Sequence, residues 1–159
     1  MPPTPAIDLS SIDLTKRAVS IEEIRKLIPH RGNMALLDGI IALGPALDWI
    51  VGYKEVRDGE FWGDGHFPGN PILPGVVMVE AAGQLCVCYY KFSMPEIRDR
   101  LVVFGGLDDC RFRGIVRPGD RVLLIAKKID LNRRMARCLT QGVVDGKVVY
   151  EGTILGVTT

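Results

Sequence analysis

The sequence predicts an α+β fold in which one long helix is wrapped by a curved antiparallel β-sheet. Three observations predict it. The stretch from Gly75 to Phe92 is too long for one strand and carries apolar residues on every side, the pattern of a helix buried all round. The last third, Leu101 to Thr159, divides into β-branched runs separated by turn residues, the pattern of consecutive strands. The chain has 159 residues, 47% of them hydrophobic, which suits one core and one domain. A helix apolar all round needs cover on more than one side. The curved sheet supplies most of it, and a second subunit supplies the rest, so a homodimer is expected from burial alone.

Residues 1–19 read as an N-terminal arm and residues 20–159 as one domain. The first fifteen residues carry three prolines and no clear period, so the arm is either loose or lies across a neighbour. Ser20 opens Ser-Ile-Glu-Glu, a capping-box pattern, and Ile21, Ile24, Leu27 and Ile28 give a helical apolar face that Pro29 ends. Met34–Leu43 and Ala46–Val56 suggest an antiparallel pair of strands. Gly63 to Gly75 holds four glycines and three prolines, so it is an ordered loop with little freedom. Pro74 suits the first turn of the long helix. Further strands are expected at Val102–Phe104, Val122–Ile129, Met135–Val144 and Val148–Leu155, with Asp145-Gly146 as a two-residue hairpin turn.

Charged residues are 25% of the chain and the formal net charge is +1, which gives no bulk case for a nucleic-acid binder. The four cysteines, Cys86, Cys88, Cys110 and Cys138, show no C-x-x-C spacing and read as free thiols rather than a metal site. The N-terminus lacks the apolar stretch of a secretory signal, and the longest apolar run, broken by Glu80, Gly83 and Gln84, is too polar for a membrane span. A soluble cytoplasmic protein is expected.

The chemistry concentrates at the start of the long helix. Glu80 sits among Val76, Val77, Met78, Val79, Ala81 and Ala82. A carboxylate there is costly unless paired or protonated, and desolvation raises its pKa toward that of a proton donor near neutral pH. Gln84, four residues on, lies on the same side of the helix, in reach of Glu80 or a substrate. His66 lies fourteen positions before Glu80 in the Gly/Pro loop, flanked by Gly65, Phe67, Pro68 and Gly69. That frame fixes the imidazole as a general base. Gly75 follows Pro74, which has no N–H, so Gly75 offers the first free amide of the helix to a developing oxyanion. A base, an acid and an oxyanion donor suit proton abstraction beside a carbonyl followed by loss of a hydroxyl. No metal or organic cofactor is needed.

The run Gly65 to Gln84, Gly-His-Phe-Pro-Gly-Asn-Pro-Ile-Leu-Pro-Gly-Val-Val-Met-Val-Glu-Ala-Ala-Gly-Gln, resembles the signature of the FabZ-type 3-hydroxyacyl-[acyl-carrier-protein] dehydratases. The Pro-His-Arg segment at Ile28–Asp38 and the Arg-Phe and Pro-Gly-Asp stretch at Asp108–Asp120 are similar to the same family's flanking motifs. The resemblance implies a hotdog fold and an active site at a dimer interface, with the histidine from one subunit and the acid from the other. It maps the catalytic histidine to His66, the acid to Glu80, the oxyanion amide to Gly75 and the carbonyl that orients the histidine to Ile72. Phe67, Pro74 and Gln84 are its substrate-contact candidates. It implies acyl carrier protein, with its 4'-phosphopantetheine arm, as partner, dehydration of (3R)-3-hydroxyacyl to trans-2-enoyl groups in fatty-acid or related lipid synthesis, and dimers grouped as a hexamer. Arg111, Arg113 and Arg117, with Arg98, Arg100 and Arg121 nearby, are candidates for receiving the acidic carrier. Gly32-Asn33-Met34 and Gly83 depart from the family pattern and bear on acyl-chain length. A thioesterase of the same fold and a non-catalytic acyl-binding subunit are the competing readings. His66 argues against the first, and the intact pair argues against the second.

Overall fold

The computed structural model describes residues 1–159. The chain runs α1 (Ile21–Leu27), β1 (Gly39–Leu43), β2 (Trp49–Glu55), α2 (Gly75–Ser93), β3 (Val102–Phe112), β4 (Arg121–Leu131), β5 (Met135–Val144) and β6 (Lys147–Thr158), with short 3-10 turns at Leu9–Ser11, Gly32–Met34 and Pro95–Ile97. The strands form one antiparallel sheet in the order β1-β2-β4-β5-β6-β3, so β1 and β3 are its edges.

Helix α2 lies on one face of this sheet, touching β2, β4, β5 and β6. Met78, Val79, Ala81, Ala82, Leu85, Cys86, Cys88 and Tyr89 are all buried in the same core as Ile40, Ile50, Val122, Leu124, Ala126 and Ile154. This is the wrapped helix that the apolar pattern predicts. Contact is close enough that Gly52 leaves room for Leu85, whose Cδ1 is 2.9 Å from where a Cβ would stand. Helix α1 carries the expected capping box. Ser20 Oγ accepts from the Glu23 N–H at 3.3 Å and the Glu23 carboxylate accepts from the Ser20 N–H at 2.8 Å.

Three boundaries differ from the sequence expectation, each for a physical reason. β1 begins at Gly39 rather than Met34, because the Met34 carbonyl and Leu36 N–H bond the Gln84 side chain instead of a strand. β2 begins at Trp49 because the chain turns tightly over Gly44–Trp49, with Leu47 at φ 50°. β3 runs to Phe112, well past Phe104. Bulges at Phe104/Gly106 and Asp108/Arg111 absorb the glycines and aspartates that break its alternation. The Asp145-Gly146 hairpin turn forms as expected, both residues having positive φ (48° and 76°).

The second face of the sheet is also covered. Side chains alternate along each strand, and Ile41, Val51, Tyr53, Leu123, Ile125, Val143 and Val148 form a second apolar cluster on the face away from α2. Ile7, Leu9, Ile12 and Leu14 of the N-terminal segment pack on it. The arm thus lies across its own sheet. Gln141, 4% exposed, clamps it: the side-chain carbonyl accepts from the Ala6 N–H at 2.7 Å and the amide donates to the Thr4 carbonyl at 3.2 Å. Farther along, Val19 bridges to Ile40 of β1.

The remaining apolar surface is concentrated on edge strand β3, where Val103, Phe104, Leu107 and Phe112 are 39–50% exposed. The four cysteines are free thiols. Contact with Cys138 and burial hold the Cys86 thiol well above its ordinary pKa, and burial pushes Cys88 up to about 12, so neither offers a thiolate at neutral pH. No helix is long and apolar enough to cross a membrane. Replacing Gln141 by alanine should destabilise the fold by about 1 kcal/mol and speed amide exchange in residues 4–14. Exchange rates equal to wild type would show that apolar contact alone seats the arm.

Candidate active site

The loop between β2 and α2 is built around Glu60. Its carboxylate accepts from the buried Lys54 ammonium at 2.8 Å, the Arg57 N–H at 2.8 Å and the Trp62 indole N–H at 3.1 Å. Burial works against the charged form, but these three donors outweigh it and hold the carboxyl below its usual range. The loop's far end is tied down by Leu73 N–H to the Val116 carbonyl at 2.8 Å, and by Arg117, which donates to Asn70 Oδ1 at 2.6 Å. A segment with so little regular structure is therefore fixed at both ends.

His66 sits between those anchors, half-buried. Its Nδ1 is 2.6 Å from the Ile72 carbonyl. A carbonyl oxygen only accepts, so Nδ1 carries the proton and Nε2 keeps a free lone pair. Phe67, next in sequence, has a positive φ of 62°, and its ring lies 4.4 Å from the imidazole, centroid to centroid. Such a conformation costs energy in a non-glycine residue, and it sets the imidazole and an exposed phenyl ring side by side.

Pro74 caps α2 and Gly75 begins it. The Gly75 N–H donates to no group in the chain. A Cβ on Gly75 would lie 2.6–2.8 Å from the Phe112 ring of β3, so glycine is what allows this aromatic wall to stand against the helix start.

One turn further on is Glu80. Its Oε1 accepts from Gln84 Nε2 at 3.0 Å and lies 3.2 Å from His30 Nε2, and neither contact uses Oε2. Gln84 is 1% exposed. Its amide also donates to the Met34 carbonyl at 2.7 Å, and its carbonyl accepts from the Leu36 N–H at 3.1 Å. Both amide hydrogens are thus used inside the chain. His30 Nδ1 is buried with no partner, and the opposite edge of the ring faces Glu80. A narrow cavity of about 50 Å³ starts at His30 and Glu80 and runs along α2 to Tyr90. The start of β3, Val102–Phe104, with Ala136 and Ile154, lines its other side.

The structure brings His66 to Ile72 and Phe67, and Glu80 to Gln84 and His30. Within one chain it does not join the two groups: no hydrogen bond or ion pair links His66 to Glu80, and His66 does not line the cavity.

The model of the FabA-like domain matches residues 28–153, most of the chain. The chain belongs to the FabA-like family, on its FabZ-type branch. The 3-hydroxyacyl-[acyl-carrier-protein] dehydratase FabZ of Chloroflexus aggregans is 38% identical over 141 residues, covering 89% of this chain and 96% of that one. The FabZ of Acetivibrio thermocellus is 39% identical over 132 residues, covering 83% and 89%. Among solved structures, the dehydratase heterocomplex ApeI:P from Xenorhabdus doucetiae matches with a TM-score of 0.71 at 17% identity, over 86% of this chain and 90% of that one. Thioesterase HI1161 from Haemophilus influenzae matches at 0.64 and 19%, over 91% and 93%. At these identities the structural matches speak for the fold alone, which is the hotdog fold.

Two features of this FabZ-type chain were not apparent from its sequence. His30, in the Pro-His-Arg segment, reaches Glu80 from fifty residues away. Gly83, a departure from the family pattern, leaves space for the Phe104 ring, which lies 3.2 Å from where a Cβ would be. The arginines do not form one free patch. Arg113 pairs with Glu151, Arg117 braces the loop that carries His66, and Arg111 bonds the neighbouring Cys110 carbonyl. Replacing Gln84 by leucine leaves the Leu36 N–H and Met34 carbonyl without partners. It should cost about 1–3 kcal/mol for each group left buried, measured by denaturant unfolding. A loss near zero would show that the Met34–Leu36 segment finds other partners.

Proposed function

We propose that this chain dehydrates (3R)-3-hydroxyacyl groups carried on acyl carrier protein to trans-2-enoyl groups, with His66 as general base and Glu80 as general acid. The observation that carries the assignment of roles is the fixed tautomer of His66: its proton is held by Ile72, which leaves Nε2 free to take the α-proton. As that proton leaves, charge moves to the thioester oxygen. The unpartnered Gly75 N–H, at the positive end of α2, is suited to receive it. Glu80, protonated, then gives its proton to the departing hydroxyl, which leaves as water. Its Oε1 is held by His30 and Gln84, so Oε2 is the oxygen available for this transfer. Phe67 and Pro74 flank the base and the oxyanion donor, and the mainly apolar lining of the narrow cavity from Glu80 to Tyr90 marks the path open to an acyl chain.

This chemistry needs base and acid on one substrate, and a single chain holds them apart. We infer a homodimer in which His66 of one subunit faces Glu80 of the other. The apolar, unpaired edge of β3 supports pairing with a second copy. Arg111, whose guanidinium bonds only a neighbouring carbonyl, is the freest of the three proposed carrier-docking arginines.

The decisive assay follows enoyl absorbance on a 3-hydroxyacyl thioester. His66→Ala and Glu80→Gln should each lower turnover by about 10²–10⁴-fold, with less effect on KM. Release of free thiol, or full activity in either variant, would sink the assignment. Mixing the two inactive variants under subunit exchange should restore about a quarter of wild-type activity, because half of the dimers are mixed and each has one intact site. No recovery on mixing would argue that the pair works within one chain.

A further inference from the structure

The C-terminal end of α2, opposite the end that carries Gly75, borders a second and larger concavity. It is a groove of about 380 Å³ between the last turn of α1, the segment Ile28–Arg31 and the turn Arg98–Leu101. Six of its eleven lining residues are cations, Arg25, Lys26, Arg31, Lys91, Arg98 and Arg100, against one carboxylate, Asp99. The whole chain carries a net charge of only +1, so this concentration is local.

Lys91 gives the groove its meaning. The chain has two buried lysines, Lys54 at 4% and Lys91 at 5% exposure. Lys54 is neutralised by Glu60 at 2.8 Å. Lys91 lines the groove, and its ammonium has no hydrogen bond or ion pair in the chain. Its stem is buried while the ammonium opens onto the groove, so a cation stands there with no acid of the chain to pair with it. Burial pulls its pKa below the ordinary value, opposed more weakly by Cys88 and Asp99. Lys91 also stands in the last turn of α2, where the helix dipole favours a cation. A lysine serving a helix end extends its charged head into water, and Lys91 extends it into a concave groove whose other walls are also cationic.

The rim is partly set in advance. Arg31 is held by the carbonyls of Arg25, Ile28 and His30, and Arg100 by that of Thr159. Most N–H groups of these two guanidiniums are given to carbonyls, so both act chiefly as fixed charges, while Arg25, Lys26, Arg98 and Lys91 keep free donors for phosphate oxygens. A monocarboxylate would leave most of the charge uncompensated, whereas a diphosphate supplies three or so negative charges in a small volume. The groove's size falls within the range of small-molecule sites.

We propose that this groove binds a small molecule through a diphosphate group, with Lys91 as its floor. The proposal stands independently of the dehydratase reading. Titration calorimetry of the full chain with pyrophosphate, at ionic strength held constant with sodium chloride, is the test. One pyrophosphate should bind per chain and raise Tm, and inorganic phosphate should bind more weakly. Lys91→Met should weaken pyrophosphate binding about tenfold or more, fold without ligand at least as stably as wild type, and leave dehydratase turnover unchanged. Wild-type pyrophosphate affinity in Lys91→Met, combined with a lower ligand-free Tm, would overturn the proposal and leave Lys91 as a helix-end charge. If Lys91→Met does not fold, Arg98→Ala and Arg25→Ala carry the test, and unchanged affinity in both overturns it. Binding of a polyglutamate peptide without any binding of pyrophosphate would overturn it as well.

Discussion

A nineteen-residue helix with apolar side chains on all sides has no stable position on a protein surface, and the rest of this fold follows from covering it. The cover must be continuous and curved, which an antiparallel sheet of six strands provides on one side. The sheet's register fixes which residues face α2, and tight approaches such as Leu85 over Gly52 leave no freedom to slide. The helix is therefore a rigid rod, apolar along most of its length. At one end it presents Gly75 and Glu80, and at the other Lys91. Both ends owe their chemistry to the same fact: charged or hydrogen-bonding groups are held where water is scarce, so their partners matter more than they would on an open surface.

The environment of Glu80 treats its two oxygens differently. One accepts from Gln84 and faces His30. The other is uncommitted, which is what the proposed proton transfer requires. Gln84 makes that difference durable, because the same amide ties the helix to the Met34–Leu36 backbone. Loss of Gln84 would disturb the Glu80 carboxylate and the segment that leads into β1 together.

Much of this was legible in the sequence because it depends on local pattern. The all-round apolar run marked α2, Ser20 and Glu23 marked the start of α1, and Asp145-Gly146 marked the last hairpin. The Gly/Pro frame around His66 marked a rigid loop. What escaped notice depends on long-range contact. The approach of His30 to Glu80 and the bonds of Gln84 to the Met34–Leu36 segment before β1 have no spacing that announces them. The bulges that extend β3 hide its alternation behind Gly105-Gly106 and Asp108-Asp109. The two-sided burial of the sheet did leave a signal: Val122 to Ala126 is apolar without interruption, which a strand exposed on one face does not require. That run states that something covers the second face, but not that the cover is residues 7–14 of the same chain.

The seating of that arm has a consequence for how the molecule assembles. Its clamp, Gln141, is 135 residues downstream of Ala6, and the surface it crosses is completed by Leu123, Val143 and Val148. The arm leaves the ribosome long before its docking surface exists. It must wait, unpaired, while five-sixths of the chain is made, and it closes over the sheet only after β4, β5 and β6 have joined. Contacts of such long sequence separation are slow to form. The prolines near its start and its lack of a regular strand pattern suit a segment that has to remain uncommitted until the rest of the fold is ready to receive it.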